Sequence, residues 1–273
     1  MHTVTVQGVP VPWIMYGTAW KEARTTELVE LALGAGFRAI DTANQRKHYV
    51  EADVGRAIAR AGVPRAQLFV QTKFTYARGQ DHRLPYRVKA AVAEQVEQSC
   101  ASSLLHLGVD RLDALLLHGP EQEHGLTPDD LAVWARFEEL HGQGRVGLIG
   151  ASNINLAQLD ALWALAAVKP AMVQNRCYAR DGWDGAVRRW CQDHGVHYQG
   201  FSLLTANRAE LARAEVVAIA KRHARSVAEI VFAFARQVGM IVLTGTSNAG
   251  HMRADLAAGE LVLDPPELRT LLG

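Results

Sequence analysis

Cysteine is scarce in this chain: three residues in 273, Cys100, Cys177 and Cys191, far apart and odd in number. No C-x-x-C pair occurs, which argues against a disulfide framework and against a cysteine-built metal site. An excess of one charge is also missing. Twenty-nine Lys and Arg face 28 Asp and Glu, leaving a formal charge of +1. There is no global basic field for nucleic acid and no acidic tail, although a local cationic pocket for a phosphate stays open. No apolar run approaches the ~20 residues that span a bilayer. The first residues, MHTVTVQGVPVPWIMYG, lack a basic start followed by a long apolar run, so they do not read as a secretory signal. A cytoplasmic protein with no membrane or nucleic-acid partner is expected. With no exposed heptad and no long edge strand, a monomer is the default.

Several catalytic motifs are absent too. The chain has no G-x-x-x-x-G-K-S/T loop, no G-x-S-x-G elbow and no H-E-x-x-H helix. GQGRVG at 142–147 matches G-x-G-x-x-G. It ends a helical pattern and opens a strand, the reverse of the order a dinucleotide fingerprint needs, so it reads as a helix cap and tight turn. His194 and His197 flank a helix-to-strand turn and read as structural or surface residues. No metal is expected.

What is present is alternation. Residues 2–13 read as a β-hairpin around Gly8. Eight short apolar strand candidates follow, at 13–17, 37–41, 68–73, 112–118, 146–152, 171–175, 196–202 and 240–245. Helical patterns with i, i+3, i+4 apolar spacing lie at about 22–35, 51–61, 87–107, 128–142, 156–166, 184–194, 207–222 and 226–237. Gly34, Gly36, Gly62, Gly108, Gly142 and Gly195 stand where left-handed caps would end helices. Strands such as LDALLLH and MIVLTG are apolar on both faces, as buried parallel strands should be. Eight β/α units in 273 residues with no composition break predict an α/β fold, one (β/α)8 TIM barrel over 1–273, with a short tail after about 258. A doubly wound open sheet usually has fewer strands.

In such a barrel the chemistry gathers at the C-terminal strand ends. Those ends carry Asp41, Lys73, His118, Ser152 with Asn153, Gln174 with Asn175, and Phe201 with Ser202. Each alone reads as a turn residue, a solvated charge or a hydrogen-bonded core group. Together they form a chemical unit. Asp41 and Lys73 come from adjacent strands and would pair. A lysine so held would stabilise a nearby tyrosinate, lowering that tyrosine's pKa toward a useful value. A tuned tyrosine is a credible general acid for an alkoxide forming from a carbonyl, with His118 donating to the same oxygen.

GTAW (17–20), GFRAIDTA (36–43), QTK (71–73), LLLHGP (115–120), GLIGASN (147–153) and MVQN (172–175) together resemble the aldo-keto reductases, nearly end to end over about 4–260. The resemblance implies a (β/α)8 barrel whose bottom is closed by the N-terminal hairpin. It implies NAD(P)H bound without a Rossmann motif, and hydride transfer from the nicotinamide to a small aldehyde or ketone. It assigns Asp41, Lys73 and His118 to catalysis. Ser152, Asn153 and Gln174 would hydrogen-bond the nicotinamide carboxamide. Gly17, Thr18, Ser202 and Leu204 would line the cofactor.

The chain departs from the family pattern in four places. The tyrosine usual five residues after the Asp is absent, since position 46 is Arg; the first tyrosine is Tyr49, in QRKHY (45–49). A branch of the family with Q-x-K-H-Y in this loop is similar, which assigns Tyr49 rather than His48 as the acid. The ring against the nicotinamide is Phe201 in place of Tyr. The cofactor-phosphate segment, LTGTSNAGHMRADL (243–256), contains no Lys, leaving Thr246, Ser247, Asn248, His251 and Arg253, with a helix N-terminus near 248–250. NADPH is the expected cofactor, with NADH not excluded. The fourth departure is a chain ending at Gly273, soon after the last barrel helix, which implies an open pocket. Trp20 and Tyr76 are candidate pocket residues, with Tyr86 and Trp183 further aromatics nearby. An alternative is a nicotinamide-binding sensor or regulatory subunit with little turnover; a sugar-phosphate isomerase or lyase rests on fold analogy alone.

Overall fold

The computed structural model describes residues 2–273. The chain opens with an antiparallel hairpin, β1 (Thr3–Val6) and β2 (Val9–Pro12). Eight parallel strands then close into a barrel: β3 (Ile14–Gly17), β4 (Ala39–Asp41), β5 (Phe69–Phe74), β6 (Leu112–Leu117), β7 (Val146–Ser152), β8 (Met172–Arg176), β9 (His197–Phe201) and β10 (Met240–Thr244). β10 pairs with β3 to complete the ring, so the closed sheet leaves no free edge. Helices α1 (Thr25–Ala35), α2 (Glu51–Arg60), α3 (Val92–Leu107), α4 (Pro128–Gly142), α5 (Leu156–Leu165) and α6 (Gly185–Asp193) surround it, followed by α7 (Arg208–Leu211), α8 (Ala214–Arg222), α9 (Val227–Gln237), α10 (Ala249–Ala257) and α11 (Pro265–Leu272). The expected (β/α)8 barrel with its hairpin is what the chain forms. No helix among the described residues is long and apolar enough to cross a membrane.

Side chains alternate across a strand with period two, and this divides the core. Ile40, Val70, Leu115, Ile149, Val173, Tyr198 and Val242 face outward and pack with the helices. Met15, Ala39, Phe69, Ala114, Leu116, Leu148, Met172 and Ile241 form the separate inner cluster. Val6 and Val11 of the hairpin join that inner cluster, so the hairpin plugs the N-terminal mouth. With the bottom closed, the other mouth is where the barrel interior meets solvent.

Four boundaries differ from the sequence expectations. The helix expected from 87 begins at Val92, because Gln98 Oε1 accepts from the Arg87 amide and Gln95 Nε2 donates to the Val88 and Ala90 carbonyls, holding 87–91 as a turn. The helix expected over 207–222 splits into α7 and α8 at an extended Arg213. Asn207 is the cause: it is buried and binds Ala179 N, Cys177 O and Leu203 O, tying α7 to the end of β8. Gly34 and Gly142 stay helical; the left-handed residue closing the GQGRVG turn is Gly144, φ 74°. Finally, the tail expected after about 258 is ordered. Asp264 and Glu267 form a reciprocal capping box with prolines at the first helical positions, and α11 results.

Helix α11 is part of the core. Leu271 is buried, and the Trp183 indole donates to its carbonyl at 2.7 Å. Leu271→Ala should lower stability by about 2–4 kcal/mol, read as a lower urea midpoint at unchanged slope. A loss under about 1 kcal/mol would show that the helix is peripheral.

Candidate active site

At the open mouth lies an elongated cavity of about 760 Å³. Period-two alternation decides what lines it. In β5 the inward residues are Phe69, Gln71 and Lys73, so the inner face passes from apolar at the bottom to polar at the top. The same parity carries Gly17, Asp41, His118, Ser152, Gln174 and Phe201 inward at the ends of their strands.

Below the cavity floor is a buried polar layer. Lys73 Nζ donates to Asp41 Oδ1 and Oδ2, both at 2.7 Å, and to the Thr42 carbonyl at 2.9 Å, which accounts for all three ammonium protons. Asp41 Oδ1 also accepts from Gln71 Nε2 (2.7 Å) and Gln174 Nε2 (3.1 Å). Gln199 closes the network: its Oε1 accepts from Gln71 and Gln174, and its Nε2 donates to Gln71 Oε1. Gln71 and Gln199, fully buried, were not singled out from sequence. Polar residues in the middle of otherwise apolar strands were the signal for them. Burial pulls the Lys73 ammonium below the ordinary lysine value, and Asp41 acts against that pull.

The loop from Asp41 to α2 folds back over this layer. Thr42 N and Asn44 N donate to the carbonyls of Gln71 and Lys73. Gln80 links the Arg46 amide to the Asn44 carbonyl. Turns from Gln45 O to His48 N and Tyr49 N then set Tyr49 on the cavity wall. Arg46 lies off the cavity and reaches Ser102 at 3.4 Å. The Tyr49 ring stands edge-on to the His118 ring, centroids 6.0 Å apart, with Lys73 Nζ 5.7 Å from its own centroid. The expected lowering of the Tyr49 pKa is not what the geometry yields. Burial pushes the phenol above its ordinary value, and Asp41 adds to the rise.

His118 is pushed down to about 3, first by burial and then by Lys73 and His48. Its Nδ1 lies 2.7 Å from Thr75 Oγ1, and its carbonyl accepts from Asn153 Nδ2 at 2.7 Å. Asn153 itself adopts φ 50°, with its amide on the Gln174 carbonyl. Gln174 directs its NH₂ at Asp41 and Gln199, which leaves its Oε1 as the free acceptor.

The cavity runs on from Ser152, Asn153 and Phe201 past Ser202 and Leu204 to Thr246, His251 and Asp255. Asp255 is held up near 6 by burial and accepts from Thr244 at 2.8 Å. Two cations on this wall were not among the sequence candidates. Lys21 donates to the Gly245 carbonyl, closing the first loop onto the last strand end. Arg176 lies over the Phe201 ring, 5.5 Å from its centroid. The parity of β8 was the available signal for Arg176; nothing in the local pattern marked Lys21.

Other candidates fall elsewhere. Lys73 lies beneath the cavity and Thr18 is buried against the Asp41 carbonyl. Ser247, Asn248 and Arg253 are exposed around the start of α10, where Asn248 caps the His251 amide; none lines the cavity. Trp20, 66% exposed, stacks on His48 at 3.5 Å between centroids and lines the mouth. Tyr76 is buried and donates to Asp130; with Thr75 and Gly119 it borders a second cleft of about 440 Å³ on the far side of His118. Tyr86 donates to the Thr75 carbonyl, and Trp183 belongs to the core.

Comparison with known proteins places this geometry. The aldo/keto reductase family profile matches residues 13–271. An aldo-keto reductase of Mycolicibacterium vanbaalenii is 29% identical over 252 residues, covering 92% of this chain and 84% of that protein. The glyoxal reductase of Bacillus subtilis is 30% identical over 239 residues, covering 86% and 79%. Among solved structures, an aldo/keto reductase from Brucella melitensis superposes with a TM-score of 0.86 at 26% identity, over 99% of this chain and 98% of that one. The family match along nearly the whole barrel, and the agreement of its fold, show that this chain belongs to the aldo/keto reductase family of NAD(P)H-dependent oxidoreductases.

Proposed function

We propose that this protein reduces a small aldehyde or ketone with NADPH, and that Tyr49 delivers the proton to the carbonyl oxygen. The observation that carries the reading is convergence: Tyr49 and His118 border one end of the cavity, directly above the Lys73–Asp41 pair.

The donor set fits a nicotinamide dinucleotide. Ser152, Asn153 and the free Oε1 of Gln174 offer the donors and acceptors that a carboxamide needs, and Phe201 offers an apolar face for a planar ring. Lys21 supplies positive charge midway along the groove. His251 and Thr246, beside the start of α10, supply polar groups for the phosphate-bearing end. When bound, the reduced cofactor supplies the hydride that the carbonyl carbon accepts.

The protein's own groups manage the oxygen. The Tyr49 phenol, raised by burial, holds its proton at rest and gives it up only to a strong base such as a nascent alkoxide. The negative charge left on Tyr49 is then opposed by the buried ammonium of Lys73, 5.7 Å from the ring centroid, where a charge is worth more than in water. Neutral His118 donates a hydrogen bond to the same oxygen without competing as an acid.

Tyr49→Phe should lower turnover of a reactive aromatic aldehyde by about 10²–10⁴-fold while cofactor binding, followed by fluorescence, persists. Undiminished turnover would defeat the assignment. Fluorescence titration with NADPH and NADH should show tighter NADPH binding; equal affinities would mean that His251 and Thr246 do not read the phosphate. Because His118 stays neutral above about 3, the kcat profile at saturating cofactor should show no limb near the ordinary imidazole value of about 6.5 that disappears in His118→Gln. Such a limb would mean that His118 works as a cation.

A further inference from the structure

We infer that Thr75 is a positioning residue that fixes the tautomer of His118, so that Nε2 carries the ring proton and presents it to the cavity. The inference deepens the reading of His118 as the donor facing the carbonyl oxygen.

Thr75 directly follows β5 and is buried. Its Oγ1 lies 2.7 Å from His118 Nδ1. One proton lies between these atoms, and it belongs either to the hydroxyl or to the ring. Among the described residues the Thr75 hydroxyl has no other hydrogen-bond partner. Had Nδ1 carried the proton, the hydroxyl hydrogen would find no protein acceptor among the described residues, whereas donating to Nδ1 satisfies both groups. The hydroxyl therefore donates and Nδ1 accepts. His118 is held neutral by burial and by its cationic neighbours Lys73 and His48, and a neutral imidazole has a single N–H. That N–H is on Nε2, which has no protein partner among the described residues.

The hydroxyl is well placed to do this. Threonine is stiff at χ1, and the Thr75 backbone is pinned because the Tyr86 hydroxyl donates to its carbonyl at 2.7 Å. His118 is fixed from both sides by its amide on the Phe74 carbonyl (2.9 Å) and its carbonyl under Asn153 Nδ2 (2.7 Å). The strand sets where the imidazole sits, and Thr75 sets which nitrogen faces the substrate.

The test is long-range ¹H–¹⁵N correlation NMR on the cofactor-free protein labelled at histidine nitrogen, with His118 assigned by its loss in His118→Gln. Wild type should show Nε2 protonated and Nδ1 bare from about pH 5.5 to 8. Thr75→Val should give a mixture of tautomers, with kcat lower by about 10-fold and the cofactor Kd unchanged. Thr75→Ser should recover the single tautomer and most of kcat, and Thr75→Ala serves if valine disturbs folding. A wild-type ring protonated at Nδ1 would overturn the inference, as would a pure Nε2–H tautomer in the variants lacking the hydroxyl. The NMR reading needs no turnover, so failure of aldehyde reduction and failure of the tautomer assignment are separable.

Discussion

Everything at the open mouth of this barrel rests on one buried ion pair. Lys73 and Asp41 are almost fully excluded from solvent, at 1% and 4% side-chain exposure. Two charges removed from water are tolerable only when their hydrogen bonds are complete. Here all three lysine protons have acceptors, and Asp41 takes two further amide donors. Removing one partner from such a pair costs about 3–5 kcal/mol, because the other charge is left stranded. The pair therefore belongs to the structure of the barrel top as much as to its chemistry. It also fixes the amide direction of Gln174, and with it the acceptor left facing the cavity.

Burial, with Asp41 second to it, explains why the tyrosine holds its proton. A free ammonium near Tyr49 would lower the phenol's pKa. Around Tyr49 burial outweighs any such effect, and Asp41 adds to the rise. His118 is lowered first by burial and then by Lys73 and His48, which keeps the ring neutral.

Loop architecture then decides access. The 42–50 segment is tied to β5 and to Gln80 by backbone and amide bonds, which hold it as an ordered turn. At the other end, Lys21 draws the first loop onto Gly245. Between these ties the groove stays open, with Trp20 stacked on His48 at its lip.

Local pattern was enough to determine the barrel. Eight short apolar segments alternating with helical periodicity leave little else, since parallel strands buried on both faces need a helix between each pair. Strand ends also marked Asp41, Lys73, His118, Ser152, Gln174 and Phe201, because the chemistry of such a barrel gathers at its C-terminal rim. Helix α11 stands where the sequence reading has only a short tail, although its D-P-P-E start carries the residues of its capping box. Tertiary structure alone decided the rest. That Gln71 and Gln199 meet across the barrel depends on ring closure, which joins residues 128 positions apart. Lys21 bonds across 224 positions to Gly245, and Thr75 reaches His118 across 43. Burial raises the Tyr49 pKa where the sequence pattern predicts a fall, because desolvation depends on the folded surroundings of the ring. Strand parity is a property of neighbouring residues; proton positions and charge balance belong to distances between residues that only the folded barrel brings together.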